Sequence, residues 1–503
     1  MKIAYFLDIP CGLGGAGNLL LQQAGIMAKN HNVIVVIPCD EQGNVNIEYA
    51  GRCEKSGLVY RTLYYETSFN FYDIDYLQAV LSSKIIRKFV IQEKIDFLHS
   101  VQINLAVEMV SRELKIPHLM NIYQLREEEF RLVYLDIFAK YHLCDSELYA
   151  KKWSSCLGIK SRCVRPVAPL SHIINRRYVR RQHYRIVMLG DVCSRKNQLM
   201  AIKAVERCLK EYNVTLEIAG NCSDSYGGTC QIYVEQHHLS ESVVFRGFIS
   251  DISVLLRDCD ILLCTSTDES FPMSIVEAVT YGLTIISTPV AGVPEVFHDR
   301  YNAYIAGGFG AEDIEASIRD CIHDFKSGDI ESIQEHARET WEQNFSPDRV
   351  REQIDQYYHY IVKDGHIGDA DLYGPNLTEQ LYKLREAVTQ EDGNPDHVSK
   401  RVLYYAYLKK QKFCGKAYIW GAGKLGRQAH ELLRLLELDI EVIAFVDKNK
   451  MGMYCGLPII KPEEIKYDEV DYFLISFAVG RDEIINYLNE QRLMYVEKIF
   501  LLP

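Results

Sequence analysis

Short apolar runs alternate with longer amphipathic stretches through the first 165 residues. Lys2–Leu7 reads as a strand, Leu19–Lys29 as a helix and Val33–Pro38 as a strand; Arg87–Gln92 lies in a helical pattern and Asp96–Val101 reads as a strand. This β-α-β rhythm predicts a parallel sheet covered by helices. A second set opens at Arg185–Gly190 and continues through Val214–Ala219, Val243–Phe245, Ile261–Cys264 and Thr284–Ser287. Each of these runs is short, β-branched and followed by polar residues or glycine, as buried parallel strands are. Pro347–Val362 places Val350, Ile354, Tyr357, Tyr358 and Ile361 at the spacing of a helix with one buried face. Asp364–Pro375, rich in glycine and acids, reads as a linker. Asn376–Lys412 then looks helical, and Lys416–Pro503 forms a third β-α-β unit, from Ala417–Trp420 to Lys498–Leu502.

With 503 residues the chain is too long for one hydrophobic core. A hydrophobic share of 48% and a charged share of 25% exclude a mostly disordered or collagen-like chain. Lys and Arg number 56 against 68 Asp and Glu, a net charge of −12 that argues against a nucleic-acid partner. The 15 cysteines form no C-x-x-C pair, so free thiols in a reducing cytoplasm are expected. Neither a secretory h-region nor a run of about 18 apolar residues stands out. Ser171–Tyr184 carries Arg176, Arg177, Arg180 and Arg181. It reads as a solvated connection between the first two sets, with an anionic acceptor or a membrane headgroup as the sharper alternative.

The most informative segment is Asp268–Gly282. A strand runs into a polar loop, Pro272 suits the first turn of a helix, and Gly282 suits its end. Amides at Phe271, Met273 and Ser274 are then free at a helix start beside the carboxyl end of a parallel strand, which is a ready phosphate site. Glu269 and Glu277 flank that site. Carboxylates there do not suit the anion itself, but they suit hydroxyls of a ribose and a hexose; solvated helix charges are the plainer reading. In the third unit, Gly421, Gly423 and Gly426 form G-x-G-x-x-G between a strand and a helix, with Asp447 about 21 residues on, the context of a dinucleotide fingerprint. About 88 residues make only a half-size unit of that kind, so a structural or docking role competes with a nucleotide site there.

Glu269-Ser-Phe-Pro-Met-Ser-Ile-Val-Glu277 resembles the Glu-x7-Glu hallmark of glycosyltransferase family 4, retaining sugar-nucleotide transferases of the GT-B fold. Other pieces follow in the family's order: Gly12-Leu-Gly-Gly-Ala16, Asp96-Phe-Leu-His99, Leu189–Asn197, Arg246-Gly-Phe248, Pro289–Glu295 and Asn302-Ala-Tyr-Ile. The resemblance covers residues 1–362. It implies an α/β GT-B fold, two Rossmann-like domains facing a cleft, to which the third small Rossmann-like domain is added. The expected divisions are 1–170 with the 347–362 helix packing back on it, 171–346 for the donor, 363–412 as linker and helical segment, and 413–503.

Carried over by resemblance, Lys196 contacts the donor diphosphate, Glu277 the ribose, and Glu269 and His99 the donor hexose. Gly14 and Gly15 admit substrate close to the backbone, and Phe248 lies near the nucleobase. The family's usual Arg five residues before the lysine is Asp191 here, and Arg195 stands as its candidate substitute. The implied reaction moves a sugar, from UDP by default, to a glycan, lipid-linked or protein acceptor in bacterial polysaccharide or glycoconjugate synthesis. It proceeds with retention, without metal or cofactor, in the cytoplasm or at the inner membrane face. A non-catalytic partner subunit, a sugar phosphorylase and an epimerase are the alternatives. The third unit also resembles the small domain attached to some sugar acetyltransferases and glycosyltransferases.

Overall fold

The computed structural model describes residues 1–9, 14–40, 43–65, 76–102, 104–123, 139–157, 159–167, 182–222, 225–249, 251–368, 414–435, 438–475, 483–484, 487–488 and 499–501. The arginines of Ser171–Tyr184, Gly12, the segment Asn376–Lys412, and Lys498 and Leu502 at the ends of the last expected strand lie outside them.

The first unit runs β1 (Lys2–Phe6), α1 (Gly15–Met27), β2 (Asn32–Cys39), α2 (Ile47–Ser56), β3 (Val59–Tyr64), α3 (Tyr76–Glu93), β4 (Phe97–Val101), α4 (Leu105–Leu114), β5 (His118–Asn121), β6 (Tyr141–Cys144), α5 (Glu147–Leu157) and β7 (Lys160–Cys163). Its seven strands pair in the order β3-β2-β1-β4-β5-β6-β7, all parallel. Strands β1, β4, β5 and β6 are buried along their whole length or nearly so, as a parallel sheet between two helical layers requires.

The second unit runs β8 (Tyr184–Leu189), α6 (Gln198–Cys208), β9 (Val214–Ala219), α7 (Ser225–Gln236), β10 (Val243–Gly247), α8 (Ser253–Asp258), β11 (Ile261–Cys264), α9 (Met273–Thr280), β12 (Thr284–Ser287), β13 (Tyr304–Ile305), α10 (Ala311–Ser327) and α11 (Ile330–Asn344). Its sheet has the order β10-β9-β8-β11-β12-β13, again parallel. The chain then returns. In α12 (Pro347–Asp364), Val350, Ile354, Tyr357, Tyr358 and Ile361 are buried, in one apolar cluster with Ile3, Tyr5 and Leu20 of the first unit. Hydroxyl bonds fix this packing: Tyr358 lies 2.5 Å from the Tyr5 hydroxyl, and Tyr357 donates to the Lys160 carbonyl at 2.6 Å.

The third sheet contains β14 (Gly415–Trp420), α13 (Lys424–Leu435), β15 (Ile440–Val446), β16 (Gly452–Tyr454), β17 (Leu457–Ile460), β18 (Tyr472–Ile475) and β19 (Ile499–Leu501). Its order is β16-β17-β15-β14-β18-β19, with β16 and β17 antiparallel. Ile419, Leu433, Phe445 and Leu474 fall in the same buried apolar cluster as Val110 and Trp153 of the first unit.

Candidate functional site

In each of the first two sheets the strand order reverses once, between β1 and β4 and between β8 and β11. Loops leaving adjacent strands on either side of such a reversal diverge and open a crevice at their carboxyl ends. The loop after β8 carries Arg195 and Lys196, in a short 3-10 turn. The loop after β11 carries Glu269 and leads into α9. A cavity of about 390 Å³ lies here, lined from the first unit by Gly15, Gln102, Tyr123 and Asp145, and from the second by Arg195, Lys196, Glu269, Phe271, Met273, Ser274 and Glu277.

Its charged centre is compact. Lys196 Nζ lies 2.6 Å from Glu269 Oε1, and the Arg195 guanidinium pairs with the same oxygen. Arg195 also donates to the Asp268 carbonyl at 3.1 Å, and its own carbonyl accepts the Thr267 amide at 2.8 Å. Gly190 makes room for the lysine: its φ is +119°, and a Cβ there would stand 3.2 Å from Lys196 Cε. That backbone conformation favours glycine, and a side chain there would also press on the lysine. Asp191, where the family's arginine would stand, instead accepts the Asn221 amide at 3.0 Å and ties the loop to the end of β9.

Pro272 is the N-cap of α9, one position earlier than its pattern suggests, and the helix begins at Met273. Met273 and Ser274 border the cavity in its first turn, where helix amides have no intrahelical partner. Gly282 follows the helix with φ +70°. Burial pushes the Glu277 carboxyl from its ordinary 4.5 to about 7, against the pull of Arg52 and Lys196.

Three expected contacts are placed elsewhere. His99 is fully buried in β4, with Nδ1 2.6 Å from the Tyr358 hydroxyl and Nε2 2.7 Å from Asn121 Oδ1. Burial lowers its pKa to about 3 although Asn121 opposes this. It is a satisfied core histidine that joins α12 to the sheet, and it does not border the cavity. Phe248 is 66% exposed beyond β10, away from the cavity lining. Gly14 caps α1 with its amide 3.3 Å from the Tyr49 hydroxyl. Its neighbour Gly15 does border the cavity, and a Cβ on it would meet nothing within 4 Å. The crowded position is Gly17, where a Cβ would fall 2.2 Å from both Asp8 Oδ1 and the Tyr49 hydroxyl.

Sequence reasoning missed Asp145, Gln102, Tyr123 and Ser270. Asp145-Ser-Glu follows the run Leu143-Cys144 as a polar loop follows a buried strand, which is the signal that could have drawn attention to it.

In the third sheet Gly426 lies hard against the Gly421 carbonyl, where a Cβ would come within 1.9 Å. Asp447 Oδ2 accepts the Ala422 amide at 3.0 Å, and Oδ1 accepts those of Asn449 and Lys450 at 2.9 and 3.0 Å. Burial raises its carboxyl, but those three amides outweigh it and hold the group below its ordinary value. Lys450 Nζ donates to the Ala422 carbonyl at 2.5 Å, and Tyr454 to that of Gly423 at 3.1 Å. Asp447 therefore braces the glycine loop through these bonds.

With this geometry in view, residues 175–340 match the family described as Glycosyl transferases group 1. Those residues carry a glycosyltransferase group 1 domain. Residues 414–499 match a second family, described as C2185-like, N-terminal. The N-acetyl-alpha-D-glucosaminyl L-malate synthase of Bacillus anthracis is 25% identical over 236 residues, 46% of this chain and 56% of that protein. The chain thus spans about half the length of that curated relative. A glycosyltransferase from Rickettsia africae superposes with a TM-score of 0.60 at 17% identity, over 72% of this chain and 98% of that one. Anabaena Alr3699/HepE, solved with UDP and glucose, gives 0.59 at 16% identity, over 72% and 100%. The fold is GT-B, with a further small sheet. Among the described residues no helix is long and apolar enough to cross a membrane.

Proposed function

We propose that the chain is a retaining, metal-independent glycosyltransferase. It would move a sugar from a nucleotide-sugar, UDP-linked by default, to a glycan, lipid-linked or protein acceptor in bacterial polysaccharide or glycoconjugate synthesis. One observation carries this reading: Arg195 and Lys196 converge on Glu269 at the start of α9, with Glu277 one turn inside it, on the wall of a cleft between two parallel sheets. A nucleoside diphosphate suits that wall. Its phosphates would meet Lys196, Arg195 and the first amides of α9, its ribose hydroxyls would donate to Glu277, and the hexose would lie by Glu269. As the glycosidic bond breaks, charge gathers on the leaving diphosphate, and fixed cations and amides stabilise it there more than in the ground state. The reading is supported by relatives whose names are those of glycosyltransferases, EpsD of Bacillus subtilis and WcaL of Salmonella typhimurium among them, and by the UDP in the Anabaena structures. A thermal-shift screen with UDP-, GDP- and ADP-sugars, followed by hydrolysis assays on those that bind, tests it. Stabilisation by at least one, with release of its nucleoside diphosphate, is expected; no response to any of the three would overturn it.

A further inference from the structure

Glu269 is held between two neighbours that each bond to the other unit. On one side, the Tyr149 hydroxyl of α5 donates to Asp268 Oδ1 at 3.2 Å. On the other, the Ser270 hydroxyl donates to the buried Asp145. Both partners come from one five-residue stretch, Asp145 to Tyr149, at the end of β6 and the first turn of α5.

The second unit grips that same stretch through the loop after β12. Glu295 accepts the amides of Glu147 and Leu148, both at 2.9 Å, and so caps α5 from across the cleft. Arg165 reaches the same carboxylate at 2.6 Å. Burial raises the Glu295 carboxyl, but the two amides and Arg165 together hold it below its ordinary value. Gly292 closes the joint. Its amide donates to the Ser270 carbonyl at 3.0 Å, and a Cβ on it would fall 2.7 Å from the Phe271 ring and 2.9 Å from Ser146 Cβ. Asp145 itself borders the cavity beside Glu269.

We propose that Asp145 and Tyr149 are positioning residues: they fix the loop bearing Glu269, so that the sugar-diphosphate end of the cavity is assembled when the two units meet. The proposal rests on the reading of Glu269 and Lys196 as donor-contacting groups. The coupling has a continuous path. Asp145 and Tyr149 hold Ser270 and Asp268, the loop between them carries Glu269, and Glu269 orients the Arg195 and Lys196 cations. Substrate geometry off by about 1 Å costs on the order of 100-fold in rate, so a loosened loop impairs turnover through Glu269 and the two cations it orients.

The test uses the full chain, with Asp145→Ala, Tyr149→Phe, Ser270→Ala and the conservative Asp145→Asn, whose amide oxygen can accept the same bond. Backbone hydrogen exchange over residues 266–271 is measured first. Asp145→Ala, Ser270→Ala and Tyr149→Phe should speed exchange there by about tenfold, with the β8 and β11 strands unchanged, and Asp145→Asn should stay near wild type. Turnover of whichever nucleotide-sugar the wild type accepts should fall about 10- to 100-fold in Asp145→Ala, with nucleoside diphosphate affinity held within about twofold. The double variant Asp145→Ala/Glu269→Ala should be no slower than Glu269→Ala alone. Unchanged exchange in the alanine variants, or additive losses in the double variant, would overturn the proposal. A wild type that turns over no nucleotide-sugar would sink the proposed function instead, and the exchange measurement would still decide the joint. If Asp145→Ala does not fold, Ser270→Ala removes the same bond from the other side.

Discussion

Replacing Lys196 by alanine removes one of two cations on Glu269 and leaves the other. The lysine is 19% exposed and the glutamate 14%, so their 2.6 Å contact is shielded from water on both sides. In the proposed complex, a charge-assisted bond from Lys196 to a phosphate oxygen in such a place would be worth about 1.5–3 kcal/mol. Arg195 remains on the same wall as a second cation for the phosphates, so ground-state affinity for a nucleoside diphosphate should fall at the lower end of that range, about tenfold. Turnover should fall further. Removing one donor aimed at developing negative charge typically costs about 100- to 1,000-fold in kcat, and the diphosphate gains its charge only as the bond breaks. Steady-state kinetics of donor hydrolysis, with calorimetric titration of UDP, separate the two effects. A raised KM with intact kcat would refute the reasoning, because it would make Lys196 a uniform binder. Arg195→Ala should show the same pattern more weakly, since that side chain is 41% exposed.

Gly190→Ala places a Cβ against Lys196 in a backbone conformation of φ +119°; it should cost about 1–3 kcal/mol of stability and lower turnover by shifting the lysine, and a variant as active as wild type would contradict the fit described. Glu277 has a folded pKa of about 7, above its ordinary 4.5, so its contribution to stability is full below the ordinary value and lost as pH rises through about 7. Glu277→Gln should therefore gain in Tm relative to wild type as pH is raised across that window, and parallel Tm curves would contradict it. Tyr358→Phe strips the hydroxyl that meets both Tyr5 and His99 and should cost about 1–3 kcal/mol in urea denaturation, with an unchanged midpoint as the contrary result.

The legible parts of the fold are those with an unbroken pattern. Val214–Ala219, Ile261–Cys264 and Thr284–Ser287 are strands with the boundaries their apolar runs suggest. Strands β5 and β6 escape a reading by pattern because His118, Asn121 and His142 interrupt the apolar run while being fully or almost fully buried. Partners elsewhere in the first unit make part of that burial tolerable: His118 lies 2.8 Å from both Glu108 and Ser100, and Asn121 donates to Gln23 at 2.8 Å. No local pattern announces such pairings, since they join residues up to 98 positions apart.

The same limit governs the site. Arg195, Lys196, Glu269 and Glu277 lie in two loops and one helix whose strand-to-helix pattern is visible in sequence, and the structure brings them to one cavity. His99 lies in the middle of β4, where a ligand contact and a core contact look alike from sequence. Tyr358, 259 positions away, decides in favour of the core. The polar loop that holds Asp145 is visible in the sequence, but its partner, Ser270, is not, because it belongs to the other unit. Asp447 has the spacing of a dinucleotide fingerprint, but spacing does not reveal that three backbone amides of the same sheet's loops donate to its carboxylate.

The most direct test of the cleft as a nucleotide-sugar site is calorimetric titration of UDP, and of the donor found by screening, into the wild-type chain and into Glu277→Ala. Glu277 borders the cavity one turn inside α9, so its carboxylate is placed to meet whatever fills the cleft. Saturable binding in the wild type, weakened by about 1.5–3 kcal/mol in the variant, is the predicted result. Equal affinity in both chains would contradict the assignment of the cleft.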